Sequence, residues 1–346
     1  MKIGYIITGL GTGGAENHLL KALPEVKYDK FIISLTKNNS IGRKIEKKGI
    51  KVYYLNTNYI NFPIQILKII KILKNEKPKI LDSYLIHANL ICRFIGKYLN
   101  IPVINSVRND YSYSRIYSTL DRLTSFLVSM YTPNSFAIKD YLKKINIPSS
   151  KIEVVNNFIL SDELKNPKNI RDKYNINQNS KVFICVSRFV EQKNHKIIIE
   201  AFQEYNKNEK NSYIFLLGDG KLLNEYKKKY KSKNIIFTGK SDNVKDFLYS
   251  SDTFILASSR EGMSNALLEA MYMGLNCIVS KIPQNTELIS KNCGYTFKTK
   301  AELIKLMPKE NKFGKNAKDK ILKDYLLDNY LSKYNKIINK IKNKYN

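Results

Sequence analysis

The chain has 346 residues, 43% of them hydrophobic, which at roughly 100–200 residues per domain provides for two cores rather than one. Lys and Arg number 59 against 30 Asp and Glu, but the net charge of +29 is spread almost evenly over the two halves. With no zinc-finger, RRM or KH signature beside it, that charge argues against a nucleic-acid partner, and no apolar run approaches the ~18–20 residues of a membrane span.

Short β-branched or aromatic runs alternate with longer helical patterns. In the first half, strands are expected at Lys2–Thr8, Phe31–Leu35, Val52–Leu55, Lys79–Tyr84, Val103–Val107, Val128–Thr132 and Ile152–Val155, with a helix from Ala15. Strand Lys2–Thr8 runs into Gly9-Leu10-Gly11-Thr12-Gly13-Gly14, formally the G-x-G-x-x-G dinucleotide fingerprint. That fingerprint needs an acidic residue ending the second strand to hold a ribose. Here the strand ends Ser34-Leu35-Thr36-Lys37, so neither NAD nor FAD is expected. What remains is a backbone open to close approach at a helix N-terminus, where free N–H groups favour an anion.

A polar stretch, 161–180, reads as a linker. The rhythm then restarts with strands at Lys181–Ser187, Tyr213–Leu217, Asn234–Thr238, Thr253–Ala257 and Asn276–Ser280. The fold class is α/β: two Rossmann-like, doubly wound parallel-sheet domains, 1–160 and 181–318. A basic helical tail, 319–346, either caps the second domain or folds back on the first.

Strand Lys181–Ser187 delivers Arg188 to its C-terminal end, and Lys193 follows. Two cations just beyond a parallel strand suit a diphosphate. Gly218-Asp219-Gly220 gives a second permissive turn at the same sheet edge. Strand Thr253–Ala257 leads into a turn carrying Glu261, then a helix that Ser264 or Asn265 can cap. The N–H groups around Met263 to Ala266 would face an anion. Glu261 and Glu269 can each accept hydrogen bonds from sugar hydroxyls, groups that would cost binding energy if left unpaired. Cys277–Ser280, Lys281-Ile282-Pro283 and Glu287 complete a further strand–loop–helix unit.

The run Glu261 to Glu269, within EGMSNALLEAMYMGLNCIVS, resembles the Glu, seven residues, Glu motif of retaining family-4 glycosyltransferases of the group 1 type and the GT-B fold. GTGGAENHLL near the start, HANLICRF at 87–94, VRND at 107–110, VSRFVEQKNHKIIIEAF at 186–202, LLGDG at 216–220 and NIIFTGKSDNV at 234–244 follow the same family in order. The resemblance implies two domains facing each other across a cleft, with a nucleotide-sugar held mostly by the C-terminal one. It implies that Arg188 and Lys193 grip the diphosphate, that Met263, Ser264 and Asn265 add hydrogen bonds, that Glu261 binds the donor sugar and that Glu269 holds the ribose. Gly13 and Gly14 would let the first loop close over the diphosphate, and Gly239 to Asn243 would lie near the base. Catalysis with retention implies same-face attack, the departing phosphate taking the acceptor's proton. No Asp-x-Asp occurs, so the two cations are expected in place of a metal, and no cofactor is expected beyond the nucleotide-sugar substrate, most simply a UDP-sugar.

One position departs from the family. Where relatives often carry a His after the fourth strand, this chain has Tyr84, with His87 in the HAN segment; either is a candidate contact for sugar or acceptor, as is Arg108. The loop 109–119 carries no readable specificity code. The expected acceptor is a glycan or polyprenyl-linked sugar, in lipopolysaccharide, capsule or glycolipid synthesis. IQILKIIKILKNEKPK, after Pro63, combines an apolar face with Lys68, Lys71, Lys74 and Lys77. That profile suits an anionic membrane surface and equally a Rossmann helix with a solvated edge. MKIGYIITGLGTGG breaks into a glycine turn with no cleavage site, and Cys92, Cys185, Cys277 and Cys293 form no C-x-x-C pair. The expectation is a cytoplasmic protein, peripheral on the inner membrane face if its acceptor is lipid-linked. The alternatives are a sugar-nucleotide epimerase of the same fold and an NAD-dependent oxidoreductase, the latter undermined by the missing ribose acid.

Overall fold

The computed structural model describes residues 1–11, 13–37, 40–58, 60–111, 114–290 and 292–345. The chain forms two units, Met1–Asn157 with Leu327–Asn346, and Phe158–Leu326. In the first, β1 (Lys2–Ile7), β2 (Asp29–Ser34), β3 (Lys51–Tyr54), β4 (Ile80–Tyr84), β5 (Val103–Val107) and β6 (Met130–Pro133) are all parallel. Their order is β3-β2-β1-β4-β5-β6. In the second, β7 (Lys181–Val186), β8 (Ser212–Leu217), β9 (Ile235–Gly239), β10 (Thr253–Leu256), β11 (Asn276–Ser280) and β12 (Tyr295–Phe297) repeat that winding as β12-β11-β10-β7-β8-β9.

Continuous apolar runs suit strands covered on both faces. Successive side chains of β7 go to opposite sides: Val182 and Ile184 join one apolar cluster, Phe183 and Cys185 the other. In each sheet the order reverses once, between β1 and β4 and between β7 and β10. The loops leaving the C-terminal ends of those neighbours lie where doubly wound sheets bind ligands.

At four places the structure corrects or adds to the sequence reading. The stretch 161–180 is folded onto the second unit rather than left as a linker. Its Arg171 donates to the carbonyl oxygens of Ser250, Gln178 and Ser180 and to Asp252, while Lys168 N donates to Asp246. Leu164 and Ile176 are buried in that unit's core and Ile170 and Tyr174 pack against it, apolar residues too scattered to show a period in the sequence. Ile152–Val155 is not a strand: Ile152 makes an isolated bridge to Tyr131, and β6 ends at Pro133. β12 was not legible because three residues are too few to show a period. The tail is two helices: Gly314–Asp324 stays with the second unit, whereas Leu327–Tyr345 belongs to the first.

Helix Leu327–Tyr345 buries Tyr330, Tyr334, Ile337, Ile338 and Ile341, one stripe at helical spacing. Within it, the Tyr334 hydroxyl donates to Asp82 Oδ2 at 2.9 Å and lies 2.8 Å from the Tyr5 hydroxyl, while Ser106 Oγ donates to Asp82 Oδ1 at 2.8 Å. Burial pushes the Asp82 carboxyl up to about 6, against the opposing pull of these hydroxyls and of Arg108. The folded value lies above the unfolded one, so this group's stabilising contribution is complete below the unfolded value and is lost as pH rises through the folded one. Denaturant unfolding at pH 4.5 and 7.5 should therefore show the wild type losing about 2 kcal/mol more than Asp82→Asn, which does not titrate. A difference between the two proteins that stays flat with pH would contradict this.

Candidate active site

β10 pairs with β7, Thr253 opposite Phe183 and Phe254 opposite Ile184, so their loops emerge side by side at the reversal point of the second sheet. The loops are tied together. Ser259 N donates to the Gln192 carbonyl oxygen at 2.9 Å, and Gln192 Nε2 donates to the Arg260 carbonyl oxygen at 2.8 Å. A single 3-10 turn, Glu191–Lys193, closed by Asn194 in the left-handed region, aims Lys193 back across the gap. There its ammonium forms an ion pair with Glu261 Oε1, the two side chains being 14% and 8% exposed. A carboxylate so nearly buried needs such a partner.

Arg188 is exposed at the end of β7. The segment carrying it is backed by the Gly218-Asp219-Gly220 turn. Gly218 has φ +140 and Gly220 φ +148, and an added Cβ would fall 2.0 Å from the Ser187 carbonyl oxygen and 2.6 Å from that of Phe189. Only glycine fits there, for conformation and for space. His195 stacks on Phe189 with centroids 4.0 Å apart, and its Nε2 lies 3.0 Å from Ser187 Oγ. Burial first, and the Lys193 cation second, lower its pKa to about 4, leaving a neutral ring near pH 7. Ser187, Gln192, His195 and Ser259 were not singled out from sequence. Three of them lie within the 186–202 run, but the tether to Ser259 is visible only in space.

Ser264 is the N-cap of helix Asn265–Tyr272, its Oγ accepting from Leu267 N at 3.3 Å. Met263 and Ser264 are buried, while Asn265 and Glu269 are half-buried on the helix. Gly262 to Asn265 thus follow Glu261 directly into a helix N-terminus. The second unit brings Arg188, Lys193, Glu261 and this cap to one end of one sheet.

In the first unit, Gly13 is the N-cap of helix Gly14–Ala22, with Gly14 exposed; Thr12 lies outside the described residues. His87 is exposed in the first turn of helix Ile86–Leu99, edge-on to Tyr117 at 6.2 Å. Tyr84 is fully buried at the end of β4, its hydroxyl 3.3 Å from Asp82 Oδ2, so as it stands it presents no surface to an acceptor. Arg108 is also buried. Its guanidinium lies over the Tyr84 ring at 5.2 Å and donates to the Val155 carbonyl oxygen at 3.2 Å and Asn157 Oδ1 at 3.3 Å. Both are held by the fold, and of the three candidate acceptor contacts His87 alone is exposed.

Residues 166–320 match the family described as Glycosyl transferases group 1, and residues 12–163 match Glycosyltransferase Family 4. The chain belongs to these GT-B glycosyltransferases and is a transferase enzyme. It is 24% identical over 332 residues to the capsular polysaccharide biosynthesis glycosyltransferase CapH of Staphylococcus aureus, spanning 89% of this chain and 88% of that one. It is 26% identical over 259 residues to the UDP-Gal:alpha-D-GlcNAc-diphosphoundecaprenol alpha-1,3-galactosyltransferase of Escherichia coli, spanning 68% of this chain and 66% of that enzyme. The crystal structure of HepE from Anabaena in complex with UDP-glucose shares the fold, with a TM-score of 0.84 at 15% identity over 98% of this chain and 100% of that one.

The ion pair makes a direct prediction for stability. Lys193→Ala leaves a buried carboxylate unpaired and should cost about 3 kcal/mol in denaturant unfolding, most of it recovered in the Lys193→Ala/Glu261→Gln double variant. Losses that simply add would show that the two side chains do not interact.

Proposed function

We propose that the chain is a retaining, metal-independent glycosyltransferase that moves a sugar from a UDP-linked donor to a hydroxyl of a glycan or lipid-linked sugar in surface polysaccharide or glycolipid synthesis. The observation that carries this reading is the Lys193–Glu261 pair held beside exposed Arg188 where the second sheet reverses. The relatives support the donor and acceptor classes: HepE was crystallised with UDP-glucose, and the Escherichia coli relative acts between UDP-Gal and a diphosphoundecaprenol-linked sugar.

In this reading the bond between the sugar's anomeric carbon and the diphosphate oxygen breaks, and a bond from the acceptor oxygen to that carbon forms on the same face. The acceptor's proton passes to the departing phosphate oxygen. Arg188 and Lys193 neutralise the charge that builds on the leaving group, work a divalent cation would otherwise do. Lys193 has three N–H donors, so it can serve a phosphate while still holding Glu261. Glu261 keeps free lone pairs for sugar hydroxyls, the amides at Met263 to Asn265 meet phosphate or sugar, and Glu269 accepts from the ribose. Roles for Gly13, Gly14 and His87 rest on the family resemblance. The enzyme would work on the cytoplasmic face of a membrane, where a polyprenyl-linked acceptor presents its sugar. Among the described residues no helix is long and apolar enough to cross a membrane.

A donor screen tests the proposal. UDP-, GDP- and ADP-sugars are incubated with the protein in EDTA, with and without a polyprenyl-diphosphate-sugar, and nucleotide release is followed. Acceptor-dependent release from a UDP-sugar is expected, reduced on the order of 10²–10³-fold in Glu261→Ala and Arg188→Ala. Release that requires Mg²⁺, or no release from any donor alongside a thermal shift with NAD, would overturn it.

A further inference from the structure

Helix Arg115–Thr124 faces the wrong way for a surface helix. Ile116, Leu120 and Leu123 fall on one stripe at i, i+4, i+7, and the following 3-10 turn adds Phe126. Such a stripe ordinarily packs inward. Here Ile116 is 72% exposed, Leu123 58% and Phe126 73%, and the one buried residue of the helix is Asp121. The inward side is polar by construction. Fully buried Arg93, on helix Ile86–Leu99, forms an ion pair with Asp121 and donates to Thr124 Oγ1 at 2.6 Å and Asn105 Oδ1 at 2.7 Å. The helix is therefore held by charge and hydrogen bonds, leaving its apolar side chains outward, and the helix that carries Arg93 exposes Phe94 and Tyr98 as well.

The charges around the stripe identify what covers it. Arg115 and Arg122 are exposed on the same helix and Lys97 on the neighbouring one, while the helix's own acid is spent on Arg93. Lys151 caps the turn, donating to the Ser125 carbonyl oxygen at 3.1 Å, and burial first and the Lys344 cation second lower its pKa. Exposed apolar side chains rimmed by cations match a bilayer interface with anionic headgroups. Helix Phe62–Glu76, the candidate for that role in the sequence, also exposes Phe62, Ile64 and Leu67, but it turns Ile69 and Leu73 into the core, as a sheet-covering helix does, whereas Arg115–Thr124 buries no apolar residue.

The geometry points to the outward face of Arg115–Leu127, with Phe94 and Tyr98, as the surface that seats the first unit on an anionic membrane. The inference draws its purpose from the lipid-linked acceptor proposed above, but its test contains no acceptor. Transfer to an acceptor dispersed in detergent reports on that reading separately.

The chain has no Trp, so Phe126→Trp places a sole tryptophan, excited selectively over the tyrosines, at the tip of the stripe. With vesicles of equal phosphatidylglycerol and phosphatidylcholine its emission should shift to the blue and be quenched by brominated lipid, with no shift on pure phosphatidylcholine. Arg115→Gln/Arg122→Gln should weaken vesicle binding on the order of thirtyfold, and Leu123→Ser/Phe126→Ser should abolish it while circular dichroism stays unchanged. An unchanged Phe126→Trp spectrum on anionic vesicles would overturn the inference. So would a blue shift seen instead in Ile64→Trp, or one that grows with protein concentration without lipid, the mark of a second copy on this face.

Discussion

A carboxylate and an ammonium removed from water cost several kcal/mol each unless they meet in good geometry. In the second unit, Glu261 and Lys193 stand 68 residues apart in sequence and meet because β7 and β10, out of order in the chain, are neighbours in the sheet. The reversal of strand order sets two loops side by side and lets a backbone bond from Ser259 to Gln192 and a side-chain bond from Gln192 to Arg260 fix their spacing. Everything the site offers a donor follows from that. The Gly218-Asp219-Gly220 turn presses against the backbone of residues 187–189, His195 stacks beneath Phe189, and Arg188 is left exposed at the strand end.

All but the short β12 of the two sheets' strands were legible because most are rich in apolar, β-branched or aromatic residues, a signal that survives without knowledge of partners. Arg188, Lys193, Glu261 and the Ser264 cap were legible as candidates because each lies in the loop that follows such a strand or at the start of the next helix, with Glu269 one turn further on. What stayed hidden depends on contacts between distant segments. Gln192 looks like any polar loop residue until Ser259 is placed beside it. Arg171 orders the stretch expected to be a linker through bonds to Ser250 and Asp252, far away in sequence. Tyr84 and Arg108 were reasonable candidates by position, and burial, which sequence does not display, puts both inside the first unit.

The first unit also shows polar groups used as internal fasteners. Asp82 gathers the hydroxyls of Ser106, Tyr84 and Tyr334 and so ties the C-terminal helix to the middle of the sheet. Arg93 reaches Asp121, Thr124 and Asn105 and fixes a helix whose apolar stripe would otherwise turn inward. Periodicity alone reads Ile116, Leu120 and Leu123 as core residues. A buried ion pair reverses that reading, since an unpaired Arg93 would be far more costly than three exposed aliphatic side chains.

The central claim is that the Lys193–Glu261 pair with Arg188 forms the diphosphate end of a donor site. Titration calorimetry of UDP into the wild type, Arg188→Ala and Gln192→Ala tests it most directly. UDP should bind the wild type, lose about tenfold in affinity or more without the Arg188 guanidinium, and lose affinity more mildly when the Gln192 tether is cut. Unchanged UDP affinity in Arg188→Ala, in a protein that still binds the nucleotide, would contradict the account and place the diphosphate elsewhere.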